Sequence, residues 1–196
     1  MKKIITQEQK EKKNKRNQII LGGILIFLMV VSTAGFSLIN SGSYNNQGST
    51  EEYEYNGVKF TQNTGYWSFQ VNGNNFLTVY NPSETDGINI TNSLSLDNYI
   101  GKPLYFDSNS SEAVSEIAQN LNGLVLRAQN ACINSEECVS DYPIKSCSAD
   151  NIIVVREPKD GEDERIYQQQ NCIFIIASND NQIKYGDRLL FEIIGV

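Results

Sequence analysis

Apolar residues fall along this chain in three regimes. From Ile19 to Ile39 they form one nearly unbroken block, IILGGILIFLMVVSTAGFSLI. Between residues 53 and 80 they alternate with polar residues, and beyond Leu104 they gather into short runs and one-sided stripes. The first block has 21 residues, and at about 1.5 Å rise per residue it matches a hydrocarbon core roughly 30 Å thick. It predicts a transmembrane helix.

The alternating region predicts hairpins. Residues 53–55 meet Asn56-Gly57 and resume at 58–60, and residues 66–71 and 76–80 flank Asn72-Gly73. Asn-Gly between apolar runs is a strong hairpin signal, because both central residues must accept a positive φ. Trp67, Phe69 and Val71 alternate with Tyr66, Ser68 and Gln70, as a half-buried sheet requires. Asn81-Pro82 ends the meander, and residues 88–90 suit a short edge strand.

Further on, residues 104–106 read as a strand. Ala113, Val114, Ile117, Ala118 and Leu121 share one helical face. Asn109 stands as N-cap with Glu112 three residues later, and Gly123 suits the left-handed residue that closes a helix. Residues 124–131 return as a strand. Residues 151–156 and 166–176, joined by the turn-rich 157–164, predict one long hairpin. Leu189, Leu190, Ile193, Ile194 and then Gly195 predict a closing helix. The expected fold class is α+β: an N-terminal transmembrane helix, then one small disulfide-bonded domain with a mainly antiparallel sheet and two helices.

Charge gives the block a direction. Residues 1–18 hold seven basic and two acidic residues, a net of +5, and residues 17–50 hold no charge. The remainder carries nine basic and 21 acidic residues, a net of −12. Lys and Arg resist translocation, so residues 1–18 form a cytosolic tail, 19–39 span the membrane, 40–52 make a flexible spacer and 53–196 form an extracytosolic domain. A cleaved signal peptide with cutting before Gly35 is the competing reading, but Phe36, Leu38 and Ile39 prolong the apolar run past that site. The expected localisation is the cell membrane, single-pass, with membrane lipid as the first partner. The −12 balance argues against a nucleic-acid partner, whose phosphates need a basic surface.

Cys132, Cys138, Cys147 and Cys172 all lie on the translocated side, where an even number reads as disulfides. Three connectivities are open. If residues 151–156 and 166–176 pair as a hairpin, Cys172 falls opposite position 149, one step from Cys147. That register favours Cys147–Cys172, leaving Cys132–Cys138 to close a short loop. A four-cysteine metal site fits poorly, since no close C-x₂₋₄-C pair occurs and the chain has no histidine. No metal or cofactor is expected.

The absence of histidine removes the Ser-His-Asp, Cys-His and HExxH mechanisms, and no phosphate-binding glycine loop occurs. Asp160, Glu162, Asp163 and Glu164 form the densest acidic cluster, read as a solvated hairpin tip in preference to a weak Ca²⁺ site. Lys102 and Lys184 each have Ser or Tyr nearby in sequence without any convergence. Asn89 and Asn109 lie in N-x-[ST] sequons, Asn89 being the better acceptor if Asn109 caps the helix. No catalytic residue is assigned. The expectation is a tethered binding or assembly module with a protein or glycan partner outside the cytosol. The alternatives are a tethered envelope enzyme using carboxylates or Ser/Lys, and a subunit of a membrane complex.

Overall fold

The structure, a computed structural model, describes residues 51–196 apart from Asn92, Glu137, Val139 and Ser140. The basic tail, the apolar block 19–39 and nearly all of the spacer lie outside the described residues. No described helix is long and apolar enough to cross a membrane.

The alternating region folds as an antiparallel meander. Strands β1 (Glu52–Tyr55), β2 (Val58–Asn63), β3 (Tyr66–Val71) and β4 (Asn74–Thr78) pair in sequence order. Asn56 and Gly57 take φ of 48° and 79°, and Asn72 and Gly73 take 51° and 80°, the left-handed pairs that tight hairpins need. Thr64-Gly65 makes a third such turn at 49° and 88°, with a threonine where the sequence offered no asparagine signal. Asn81 then caps the short helix α1 (Pro82–Thr85): its Oδ1 accepts from the Glu84 amide at 3.1 Å, and Glu84 Oε2 accepts from the Asn81 amide at 2.8 Å.

The rest builds a six-stranded sheet from β5 (Ile90–Thr91), β6 (Pro103–Ser108), β7 (Arg127–Asn130), β8 (Asn151–Arg156), β9 (Arg165–Gln169) and β10 (Cys172–Ile176). The strand order is β5-β9-β10-β8-β6-β7. This sheet is mixed, which corrects the expectation of a mainly antiparallel one: β7, β6, β8 and β10 run parallel, and only β9–β10 pair antiparallel. The expected hairpin of 151–156 with 166–176 also dissolves. Residues 166–176 hold two strands with a turn at Gln170-Asn171, and β10 slots between β8 and β9, parallel to β8 with Cys172 opposite Ile152. A strand buried along its whole length, as β10 is, carries no periodicity that tells a parallel neighbour from an antiparallel one.

Two longer helices, α2 (Ser111–Leu121) and α3 (Gln182–Ile194), match the two expected, and α1 and a 3₁₀ turn at Leu96–Asn98 add to them. Ser110, not Asn109, caps α2, its hydroxyl accepting from the Ala113 amide. Gly195 ends α3 in the left-handed conformation. The alternation of β6, β8 and β10 sends Leu104, Phe106, Ile153, Val155, Ile173 and Ile175 to one side. There they pack with Ile117, Leu121, Leu189, Leu190 and Phe191 of the helices. The meander closes over α3, where Phe191 meets Phe60 and Phe69 at ring-centre distances of 6.0 and 5.7 Å. Gly186 of α3 faces Ile117 of α2, where a Cβ would make ordinary contact at 3.5 Å.

The opposite face carries Tyr105, Ile152, Val154, Cys172, Phe174 and Ile176. Ala131, Ile133 and Cys147 pack against it; the disulfide Cys132–Cys138 closes a loop beside them, and Cys147–Cys172 fastens the segment to β10. The second bridge forms by a route other than the hairpin register. A turn at Ser146, whose carbonyl accepts from Ala149 and Asp150, folds Cys147 back over the start of β10, and the Cys147 carbonyl accepts from the Asn171 amide at 3.0 Å.

Candidate functional site

Two depressions flank the 131–150 segment on this second face, at opposite ends of the parallel strands. The one at the carboxyl ends lies between β6 and β8, a cavity of about 380 Å³ with Asp107, Asn109, Arg156, Lys159, Asn134 and Phe174 in its wall. β6 continues to α2 and on to β7, whereas β8 continues toward β9 and β10 on its other side. The chain therefore departs in opposite directions from two adjacent parallel strands, the place where open parallel sheets form ligand crevices. Asp107 Oδ2 accepts from the Ile133 amide at 2.8 Å and so fastens the disulfide-closed loop to the crevice wall. Arg156 reaches Glu162 through both terminal nitrogens, at 2.7 and 2.9 Å.

The acidic stretch behind that crevice is more structured than a solvated tip. Arg156 first, then the Lys159 amide, hold Glu162 down to about 2. Glu164 accepts from the Ser178 amide at 2.7 Å and from Asn181 Nδ2 at 2.9 Å, tying the turn before α3 to β9, and these bonds lower its pKa. Asp160 and Asp163 are not brought to them as ligands, and among the described residues no three such side chains group to hold a metal.

The depression at the amino ends, about 280 Å³, is lined by Lys102, Tyr105, Asp150, Asn151, Asn98 and Asn171. Arg127 Nη2 donates to the Tyr105 hydroxyl at 2.7 Å, and Lys145 Nζ lies 4.3 Å from the Tyr105 ring centre and 3.1 Å from Asp150 Oδ1. Arg127, then Lys145, lower the phenol's pKa. Lys102 thus has a tyrosine near it in space, while Lys184 lies over the Tyr80 ring at 5.9 Å.

A third polar feature lies inside the molecule. Asp187 of α3 is fully buried and accepts from the Val79 and Tyr80 amides at 3.1 and 2.9 Å. Glu116 of α2 is in hydrogen-bonding contact with it, and each side chain keeps one buried oxygen, Glu116 Oε1 and Asp187 Oδ1, that no other donor reaches. Two carboxyl groups can meet in this way only by sharing a proton. Burial, with a smaller contribution from Glu116, raises Asp187 to about 8 against the lowering effect of the two amides. The neighbouring Arg188 gives no counter-charge, since it turns to Glu192 at 3.1 Å.

Sequence reasoning missed the tyrosine cluster and the carboxyl pair. The cluster joins residues from β6, β7 and a loop and leaves no local trace. The pair did leave one: Asp187 falls on the same helical stripe as Ile183, Leu190 and Ile194, where a charge has no place unless a partner waits inside. Asn89 and Asn109 are both exposed, and with Ser110 as the cap the reason for ranking Asn89 above Asn109 disappears. No protein-family model matches the chain, and no curated protein or solved structure matches it.

Proposed function

We propose that this chain is a single-pass membrane protein with a cytosolic N-terminus, whose disulfide-bonded outer domain is a binding or assembly module. The observation that carries this reading is the crevice at the carboxyl ends of β6 and β8, which offers Asp107, Asn109, Arg156 and Lys159 around an opening into an otherwise well-packed sheet. Two disulfides on the same face support an oxidising, extracytosolic setting. The charge asymmetry around residues 19–39 supports the orientation. A protein or glycan partner would bind at the crevice, with residues 40–52 as the tether. The carboxylate-enzyme alternative would draw on Glu116 and Asp187, but Asp187 is sealed from solvent and cannot reach a substrate.

The test is photo-cross-linking in cells from probes placed at Asn109 and Lys159, with Lys59 on the meander as control. Adducts specific to the two crevice positions are expected. Equal labelling from all three, or none from any, would overturn the assignment. Sequencing the mature N-terminus tests the tether, which an N-terminus at Gly35 would remove.

A further inference from the structure

The cations of the outer region are few, and they are not evenly spread. Of the nine basic residues after the apolar block, Arg127 and Lys145 contact Tyr105 and Lys102 shares the cavity wall with it, while Asp150, the carboxylate of that wall, is paired to Lys145. Residues 17–196 carry a net −12, so this spot opposes the field of its own domain. We propose that the depression at the amino ends of β6 and β8 is an anion-binding site that takes a phosphate or carboxylate group, with Tyr105 and Lys102 as its donors.

The chemistry follows from the hydroxyl. A phenol oxygen accepts up to two hydrogen bonds and donates one. Arg127 donates to it at 2.7 Å, while the Lys145 ammonium sits over the ring, 4.3 Å from its centre. Among the described residues the hydroxyl accepts this one bond and has no acceptor for its own proton, which is left for an outside acceptor. Arg127 is not in the wall of the depression and acts by fixing the hydroxyl that is. Lys102 lines the cavity with its ammonium in no bond to the rest of the described protein. The side-chain amides of Asn98 and Asn171 add neutral donors at the rim. The floor is stiff, because Cys147–Cys172 and the Asn171–Cys147 backbone bond hold one wall to β10. Donors fixed before the ligand arrives lose little freedom on binding it.

A purely structural role for the cluster, clamping residues 131–150 to the sheet, would need Arg127 and Lys145 but not Lys102 and not the Tyr105 proton. The experiment uses that difference. Full-length protein in detergent is titrated with inorganic phosphate, glycerol 3-phosphate and acetate at constant ionic strength. Amide and tyrosine-ring NMR shifts give affinity, and melting is recorded in parallel. One saturable site around Tyr105 is expected. Lys102→Gln should weaken it at least threefold with melting unchanged, and Tyr105→Phe at least fivefold with the ring packing retained. A phosphate preference over acetate assigns a phosphoryl ligand, and the reverse a carboxylate. Shifts that do not saturate, or that both variants leave unchanged, overturn the site. The crevice at the opposite edge takes no part in this titration, so either site can fail alone.

Discussion

Asn120 of α2 presents its side-chain amide to Leu77 of β4 as a neighbouring strand would. Its Oδ1 accepts from the Leu77 amide at 2.8 Å and its Nδ2 donates to the Leu77 carbonyl at 2.7 Å. β4 is an edge of the meander, and an unpaired edge is an invitation to other chains. Two residues further along, Asp187 takes the Val79 and Tyr80 amides. Two helices thus close a sheet edge with side chains alone.

Asn120→Ala strips both bonds from a part-buried backbone unit, and it should lower unfolding stability by about 1–3 kcal/mol in urea titration. Asn120→Asp keeps the acceptor but sets a carboxylate against the Leu77 carbonyl, near Glu116 and Asp187. Its penalty should exceed that of alanine at pH 8 and shrink at pH 5. A pH-independent difference between the two variants would contradict this account of the edge.

The Glu116–Asp187 pair makes stability depend on pH around neutrality. An unfolded Asp ionises near 3.9, and the native Asp187 near 8. Between those values the native state holds a proton that the unfolded chain has released, so stability falls as the pH rises across the window. Asp187→Asn keeps an oxygen for Val79 and Tyr80 and gives Glu116 a donor. Its melting temperature should be flatter from pH 5 to 9 and exceed that of the parent at the alkaline end. An unchanged slope would exclude the shared proton.

Glu162 acts with the opposite sign. Held down to about 2 by Arg156, it supports the fold fully above the ordinary carboxylate range and loses that support as the pH falls through its native value. Glu162→Gln should therefore flatten the acid limb of stability between about pH 4.5 and 2. Circular dichroism during acid titration of both proteins checks this. Identical acid midpoints would remove Glu162 from the explanation.

The disulfides differ in the loops they close, with sequence separations of 6 and 25. Chain entropy gives about 2 kcal/mol for the shorter and about 3.5 kcal/mol for the longer. The Cys147→Ala/Cys172→Ala double variant should thus melt below Cys132→Ala/Cys138→Ala. It should also weaken phosphate binding, because it frees the wall of the Tyr105 depression. Calorimetry of the two variants orders them directly.

Legibility in the sequence followed the range of the interactions. The Asn-Gly turns, the capped stripe of α2 and the Gly195 stop of α3 depend on neighbours within a few residues, and the sequence marks them. Thr64-Gly65 escaped because threonine rarely enters the left-handed region. The path of β10 escaped for a deeper reason: its five apolar residues fit any central position, and only contacts with distant strands decide which. The cysteine pairing expected from a hairpin matches the bridges in the structure through a different geometry. A loop that can fold back reaches the same sulfur from either strand arrangement. The Tyr105 cluster and the carboxyl pair join residues up to 71 positions apart, as Glu116 and Asp187 are, and composition carries no record of such meetings.

The insertion of β10 between β8 and β9 fixes an order of assembly. A chain delivered N-terminus first, by a ribosome or through a membrane pore, brings out β8 and then β9 while the slot between them is still empty. β8 can already pair with β6 and β9 with β5, but the edges that face each other across the slot stay unpaired until residue 176 emerges. The two halves of the sheet cannot join until the last strand arrives. The slot must wait as an open, oily gap and then close at once, so a truncation that removes the last 25 residues would take away the keystone of the sheet along with α3.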